Sequence, residues 1–446
     1  MPGRFRSPTL LVGALLLVFC PAARAGNDDE LFVGNEAAMA GGTAMATVAD
    51  SSATWYNPAG LGAVSRDQID VSGTAYTLRF YAAPRFLSSS SGESDDASVI
   101  EFLSSPSQVA LVRRLGEGVS LGLGYFVPQA SNLLLRESLD VQQGGVDSNF
   151  QFTLRLTRIQ HSAAIGLGAA LTPRARAGFS VVGTYEDATE SISIASLRSE
   201  QGQQTGFLVN SVLGTFVRAG LELAAGFQFD LGPSFRLGLS ARSPRVLLHQ
   251  STAITSAFGA AEVTGSGNSL VGDVAEPSEA RTSFNVVRAG RAGIALAYLP
   301  KPGDWFAFEL DVQPAVHSEG AGVNRASVVN ARLGAYHRTS EGVALGAGLF
   351  TDRSPDRPNS DVVNGRGNFY GATLGIELNN RHRLQKGERA DSLELSSTFA
   401  LRYAFSNGTL NGLAVSSNPS EDAFSSSTGR LLVHEIGLYV GGGLGF

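Results

Sequence analysis

Cysteine is almost absent: Cys20 is the single thiol in 446 residues. It lies in an apolar N-terminal stretch, so neither a disulfide framework nor a thiolate metal site is open to the rest of the chain. Charge is also scarce, at 17% of residues against the usual ~25%. No long basic block occurs, which argues against nucleic acid as a partner. The histidines, at 161, 249, 317, 337, 382 and 434, are scattered, with no H-E-x-x-H and no close pair, so there is no ordinary zinc signature. G-x-G-x-x-G in a βαβ setting and G-x-S-x-G are both missing, which leaves nucleotide binding and the hydrolase elbow unsupported. No catalytic residue, metal or cofactor is assigned. Beyond the N-terminus no apolar run approaches the ~18 residues of a membrane-spanning helix. A membrane reading must therefore rest on strands.

The N-terminus reads as an export signal over residues 1–25: a basic "MPGRFR", an apolar "LLVGALLLVF", and an A-x-A site, "ARA", at 23–25. A lipoprotein signal is the competing reading of Cys20. The bulky Phe19 before it and Pro21 after it argue against lipidation. Cleavage after Ala25 removes Arg4, Arg6, Arg24 and the only cysteine, leaving 31 basic against 40 acidic side chains, a net charge of −9 instead of −6.

Glycine is plentiful, with 53 residues, well above the usual ~7%. Alternation is the dominant pattern. From Val217 to Leu231, Val217, Ala219, Leu221, Leu223, Ala225, Phe227, Phe229 and Leu231 are apolar, and the residues between them are small or polar. A helical period of 3.6 would scramble such an order. Leu393, Leu395, Phe399, Leu401, Tyr403 and Phe405 repeat it opposite Glu394, Ser396, Thr398, Ala400, Arg402 and Ala404. The pattern predicts strands near 67–77, 107–114, 118–127, 153–171, 175–187, 217–230, 234–247, 286–299, 304–314, 328–338, 342–351, 368–380, 393–406 and 431–446. The even-numbered strands are followed by short Gly or Pro turns, "RLGEG", "TPRA", "DLGP", "KPGD" and "TSEG". The odd-numbered ones are followed by longer connections at 78–106, 128–152, 188–216, 248–285, 315–327, 352–367 and 407–430. One even connection, 380–391, departs by being long and basic.

A secreted β-sandwich also alternates, but its strands are shorter and its connections lack this asymmetry. The expected fold is all-β: a 14-stranded antiparallel transmembrane β-barrel over 67–446, with twelve or sixteen strands as neighbouring counts. Closure follows from the bilayer, where an open edge would leave backbone groups unpaired at several kcal/mol each. The last strand sets Ile436, Leu438, Val440, Leu444 and Phe446 on one face, and a final aromatic on such a strand resembles the signal read by the barrel-assembly machinery.

Fourteen strands enclose a lumen that needs a filler. Residues 26–66, rich in Ala, Gly, Thr and Ser, are the expected N-terminal hatch, or plug. Asp50 is placed to cap a helical turn over 51–54. Asn57 is forced extended by Pro58, Pro58 suits the first position of another turn, and Gly60 can end it with a positive φ.

The order of signal peptide, small-residue tract, "DSSATWYNPAGL" and amphipathic strands to a final Phe resembles the FadL/TodX family, the long-chain fatty acid and hydrocarbon channels of Gram-negative outer membranes. Asn57, Pro58 and Ala59 match that family's hatch motif and Asp50 its upstream acid. The resemblance is specific over 34–66 and generic beyond. It implies passive uptake of hydrophobic molecules into the cell outer membrane, with an external groove, a hatch-lined pocket and a sideways exit at a kink in strand 3. Gly122, Gly124 and Pro128 are the kink residues here, with Pro128 as a simple strand end the alternative; Gln129 stands where relatives usually have Gly. For the groove, the apolar candidates in expected loops are Leu133, Leu134, Leu135 and Leu139, then Phe207, Leu208, Val212, Leu213 and Phe216. Ends of adjoining strands are the other reading. Glu222, Arg236, Arg242, Glu309, Asp311, Arg332, Glu377 and Arg402 are expected to hold the stopper and pair across the wall. The expected partners are fatty acids or hydrocarbons and outer-membrane lipids, with the protein a monomer. The rival functions are an outer-membrane lipase or esterase and a general porin-like barrel.

Overall fold

The computed structural model describes residues 31–446 apart from 265–266, 276, 320–322, 341, 358–362, 364, 387–388 and 416–423. The expected signal peptide and the first residues of the hatch, 26–30, lie outside the described residues. The strands are β1 Gln68–Ser89, β2 Ser94–Gly116, β3 Val119–Gln143, β4 Val146–Thr172, β5 Ala175–Glu200 and β6 Gln203–Asp230. Next, β7 runs as Phe235–Arg242 and Arg245–Thr264, and β8 as Gly267–Val274, Ser278–Thr282, Val286–Arg288 and Arg291–Tyr298. Then come β9 Trp305–Gln313, β10 Val328–Ser340, β11 Val343–Asp352, β12 Phe369–Lys386, β13 Arg389–Val415 and β14 Phe424–Gly445. Consecutive strands pair antiparallel, and β14 returns to β1 from Gln68↔Gly445 to Ala82↔Leu432, so the fourteen strands form a closed ring. Among the described residues no helix is long and apolar enough to cross a membrane.

The two-residue period sorts the faces as expected. On β6, Leu221 and Leu223 point outward and are exposed, while Glu222, Ala224 and Gln228 are buried. On β13, Leu395, Phe399, Leu401 and Tyr403 face out, with Thr398, Ala400 and Ala404 buried. Exposed aliphatic and aromatic side chains continue round the ring, from Val71 and Tyr76 on β1 to Ile436 and Leu438 on β14. A row of stacked rings edges this band: Tyr125 on β3, His161 on β4 and Tyr185 on β5, with the Tyr125 hydroxyl 2.6 Å from His161 Nδ1. Aromatic rings suit the boundary between acyl chains and water.

The structure corrects the long connections. The expected loops 78–106, 128–152 and 188–216, and much of 248–285, are paired strand. The β3–β4 ladder runs to Gln143↔Val146 and the β5 ladder with β6 to Glu200↔Gln203. Two-residue turns close them, with positive φ at Gly144, Gly145, Gln201 and Gly202, as the twist of a tight hairpin demands. Strands of 27 and 28 residues, β4 and β6, far exceed the ~9–11 needed to cross a bilayer, so their hairpins project beyond it. The connection at 380–391 is corrected too, because β12 and β13 stay in register through Lys386↔Arg389.

Candidate functional site: a stoppered lumen beneath an apolar chamber

Residues 31–66 form two short helices, α1 Asn35–Met39 and α2 Ala53–Tyr56, and a 3-10 helix, Pro58–Ala63. This segment meets the ring on every side. Ser51 Oγ accepts from Gln108 on β2, the Thr54 carbonyl from Ser180 on β5, and the Met39 carbonyl from Thr373 on β12. The Glu309 carboxylate on β9 takes the N–H groups of Ala44 and Met45, and Tyr439 on β14 donates to Asn35. Only an occupant of the lumen can touch β2, β5, β9, β12 and β14 together.

Asn57 is the pivot. Fully buried and extended (φ −154°, ψ 101°), it caps the 3-10 helix by accepting from Ala59 N–H at 3.1 Å. Its amide donates to the carbonyls of Met45 at 2.7 Å and of Leu239 on β7 at 3.2 Å. Pro58 takes the first helical position, where its missing N–H costs nothing. The expectations for Asp50 and Gly60 divide. Asp50 caps the turn from 51 to 54 as expected: its carboxylate accepts from Ser52 N–H at 2.8 Å, and Ala53 N–H and Thr54 N–H donate to the Asp50 and Ser51 carbonyls as the chain enters α2. Gly60 does not end the turn with a positive φ; it lies inside the 3-10 helix, where a Cβ would stand 2.3 Å from the Val48 carbonyl oxygen.

Lumen glycines supply the fit, and sequence reasoning missed them. A Cβ at Gly178 on β5 would lie 2.2 Å from the Pro58 carbonyl, and one at Gly348 on β11 2.2 Å from the Ala40 carbonyl carbon. One at Gly226 on β6 would lie 1.8 Å from Asn57 Oδ1. The clue was available in the glycines that interrupt the polar face of so many strands. The lumen charges behave as expected. Arg242 pairs with Glu222 at 2.9 Å, donates to the Trp55 carbonyl and lies 4.3 Å over the Trp55 ring. Asp311 holds Arg291 at 2.9 Å and Arg332 at 3.2 Å, Arg236 meets Asp230, and Glu377 accepts from Tyr336 and Asn379.

Above the hatch, the inward face changes from polar to apolar. Leu135, Leu139, Phe150, Phe152, Leu154, Ile192, Ile194 and Leu413 form a buried cluster within the projecting hairpins. The tip of β1 enters it. After Ala82↔Leu432 the strand leaves β14, turns at Arg85 (φ 54°), and pairs in parallel with β13 at Leu87↔Leu413. It crosses the inner face of β13 at Gly412, where a Cβ would lie 2.1 Å from the Phe86 carbonyl oxygen. Phe86 stacks edge-on to Phe152, centroids 5.1 Å apart. The mouth is thus capped by the protein's own chain.

The candidate groove residues are strand residues, not loop residues, which corrects their placement. Leu135, Leu139, Val212 and Phe216 are buried on the inner face, Leu133, Phe207 and Leu208 are half-buried, and Leu134 and Leu213 point outward. Only Leu133, Leu135 and Leu139 join the chamber cluster.

The kink residues divide as well. Gly122 and Gly124 sit in unbroken ladders on both sides, so they do not weaken the strand. Gly122 makes room for Thr54 of the hatch and Gly124 for the ring of Phe126. Pro128 is the break, and it does not end β3. Val127 and Pro128 together oppose His161, a β-bulge, and Leu31 N–H of the hatch donates to the Pro128 carbonyl. The β2–β3 ladder runs from Gly116↔Val119 to Gln108↔Phe126 and stops. Beyond it, 94–107 of β2 and 129–143 of β3 are not paired with each other, although each keeps its other neighbour. The wall has a parted seam. Beside it a row of alternating charge crosses the strands, Arg402 to Glu435 at 2.9 Å, Glu435 to Arg79 at 2.7 Å and Arg79 to Glu101 at 3.3 Å.

At the opposite end, a polar vestibule of about 280 Å³ is lined by Glu36, Asp50, Asp70, Glu377 and Glu394, with Arg66 and Arg338. The histidines with a ring-nitrogen hydrogen bond, His161, His337 and His434, use Tyr125, Asp304 and Tyr403. None of these partners is a serine.

The barrel is thus closed, stoppered by its own N-terminal segment, with a buried apolar cluster over the stopper and a seam in the wall. No family model matches the chain, and no curated protein matches it. Among solved structures it is similar to a Pseudomonas aeruginosa FadL homologue, with 13% identity, 94% of this chain and 100% of that one covered, and a TM-score of 0.59. It is similar to the P. putida toluene transporter TodX at 15% identity, covering 93% and 99%, also with a TM-score of 0.59. The Ralstonia pickettii toluene transporter TbuX follows at 13%, 93% and 98%, with a TM-score of 0.50. At such identities the likeness is one of fold, and the fold is that of the FadL-type barrels.

Proposed function

We propose that this chain is an outer-membrane channel of a Gram-negative bacterium for passive uptake of hydrophobic molecules, long-chain fatty acids or similar. The observation that carries the reading is the buried apolar cluster inside the projecting hairpins, which has Ala97 on β2 and Leu135, Leu139 and Val141 on β3, on either side of the seam. An apolar cargo taken up among these side chains is shielded from water by the hatch below and the β1 tip above, and its shortest way on is sideways into lipid. A straight path to the periplasm is less favourable, because the vestibule is polar and carries more carboxylates than guanidinium groups. The barrel works as a monomer surrounded by outer-membrane lipid, after signal-peptide cleavage near Ala25 and assembly guided by the strand ending in Phe446. No energy source is required, because partition from water into the chamber and then into the bilayer runs downhill at roughly 25 cal/mol per Å² of apolar surface.

The test is uptake of labelled oleate and labelled toluene by cells with and without the gene. Faster entry of either compound in cells carrying it is the expected outcome. Equal entry of both in both strains would refute the transport role, and ester hydrolysis by the purified protein would favour the lipase reading.

A further inference from the structure

The seam raises a problem of physical chemistry. Ile100 and Phe102, 62% and 54% exposed, carry the apolar outer surface of β2 up to the seam. Two strand edges that are not paired with each other there would leave backbone donors and acceptors facing hydrocarbon, which is costly. Prolines on both sides stop the ladder from continuing: Pro106 on β2 and Pro128 on β3 have no N–H to give, and each lies beside a register shift.

Two carboxylates span the gap: nearer the tip, Glu137 on β3 accepts from Ser98 N–H on β2 at 3.1 Å, and deeper in the wall Glu101 does more. Glu101, buried on β2, accepts from the backbone N–H of Asn132 and from Ser131 Oγ at 2.8 Å, both on β3. Its other carboxylate oxygen takes Tyr81 Oη at 2.9 Å and Arg79 at 3.3 Å. Arg79 in turn donates to the Ala130 carbonyl at 3.3 Å. The Asn132 N–H and the Ala130 carbonyl are groups that a β2 backbone would otherwise satisfy.

We infer that Glu101 is the latch of the seam: its carboxylate replaces the missing β2–β3 ladder and holds the wall shut, and releasing it from Ser131 and Asn132 opens the barrel to the bilayer. The charged row across β13, β14 and β1 anchors Glu101, so the latch is fixed on the β2 side and releases on the β3 side. Backbone pairing over the same length would need many hydrogen bonds broken at once. Glu101 holds β3 by two, with the Arg79–Ala130 and Ser98–Glu137 hydrogen bonds beside them. The latch as a gate for cargo rests on the uptake reading, whereas the latch as a seal does not.

The experiment is amide hydrogen exchange of the full barrel in lipid nanodiscs, comparing wild type with Glu101→Ala, Glu101→Gln and Ser131→Ala, each shown by heat-modifiable gel mobility to be a folded barrel. In Glu101→Ala the amides of 129–135 on β3 should exchange faster by about tenfold or more, the scale set by losing charge-assisted hydrogen bonds. Those of β4 and β5 beyond should not change. Glu101→Gln keeps an acceptor but loses the charge, and Ser131→Ala loses one donor, so both should fall between wild type and Glu101→Ala. If Glu101→Ala does not assemble, these two decide the matter. Wild-type exchange at 129–135 in the folded variants would overturn the latch. Oleate uptake in the same strains separates the two readings: fast exchange together with no uptake even in wild type leaves the latch standing and removes the channel.

Discussion

Replacing Gly178 with Ala tests how the stopper is seated. The added Cβ would lie 2.2 Å from both the carbonyl carbon and oxygen of Pro58 and 2.6 Å from Ala59 N. Ordinary contact is about 3.5–4.0 Å, so the two backbones must separate by roughly 1.3–1.8 Å. Neither side is a flexible side-chain end that could swing away, and the β4–β5–β6 ladders hold the strand. Overpacking of this kind costs about 1–3 kcal/mol. Because the ladders do not use the new methyl group, the cost falls on docking of the hatch, and the undocked population should rise roughly 5- to 150-fold. The assay is chymotrypsin cleavage after Trp55 or Tyr56 in detergent, followed by mass, together with ion conductance in a planar bilayer. Gly232→Ala is the control, since a Cβ there meets nothing within 4 Å. Should Gly178→Ala prove as protease-resistant and as electrically silent as the control, the seating described here is wrong.

Two further outcomes are expected. Asn57→Ala removes the cap of the 3-10 helix, about 0.5–2 kcal/mol, and takes the shorter of two hydrogen bonds from the buried Met45 carbonyl, which keeps Gln228 at 3.3 Å, about 0.5–1.5 kcal/mol more; cleavage at Trp55 should quicken, and an unchanged rate would show that Asn57 does not seat the hatch. Phe86→Ala removes a fully buried ring, about 3–5 kcal/mol, and should release the β1 tip from β13, which faster amide exchange at Leu87–Ser89 with unaltered β4 and β5 would register; protection equal to wild type would mean that the tip is held by its backbone pairing alone.

The faces of β6, β13 and β14 were legible because lipid on one side and a polar lumen on the other impose a strict period of two. The strand ends were not, and the reason is an inversion. Above the band the outside of the hairpins meets water and the inside is the chamber, so Arg136, Gln151 and Arg155 point out while Leu135, Phe152 and Leu154 point in. An eye set for outward apolar residues takes such a stretch for a loop that is oddly greasy. The hatch was legible where local rules govern it, at Asn57 and Pro58. The same local rules hold at Asp50, which caps its turn through Ser52 N–H, but fail at Gly60, whose geometry is set by its contact with Val48. The seam could be read only in part: Pro128 marked it, but the role of Glu101 depends on which residues stand across the gap, and no spacing along the chain encodes that.

The ring of contacts around residues 31–66 also constrains the order of assembly. A segment clasped by glycine backbones on β5, β6 and β11 and tied to β2, β9, β12 and β14 has no room to thread into a finished cylinder. The sheet must therefore curl about its own leading segment, and zipping Gln68–Ala82 against Leu432–Gly445 comes last, sealing inside the piece of chain that was made before any of the wall.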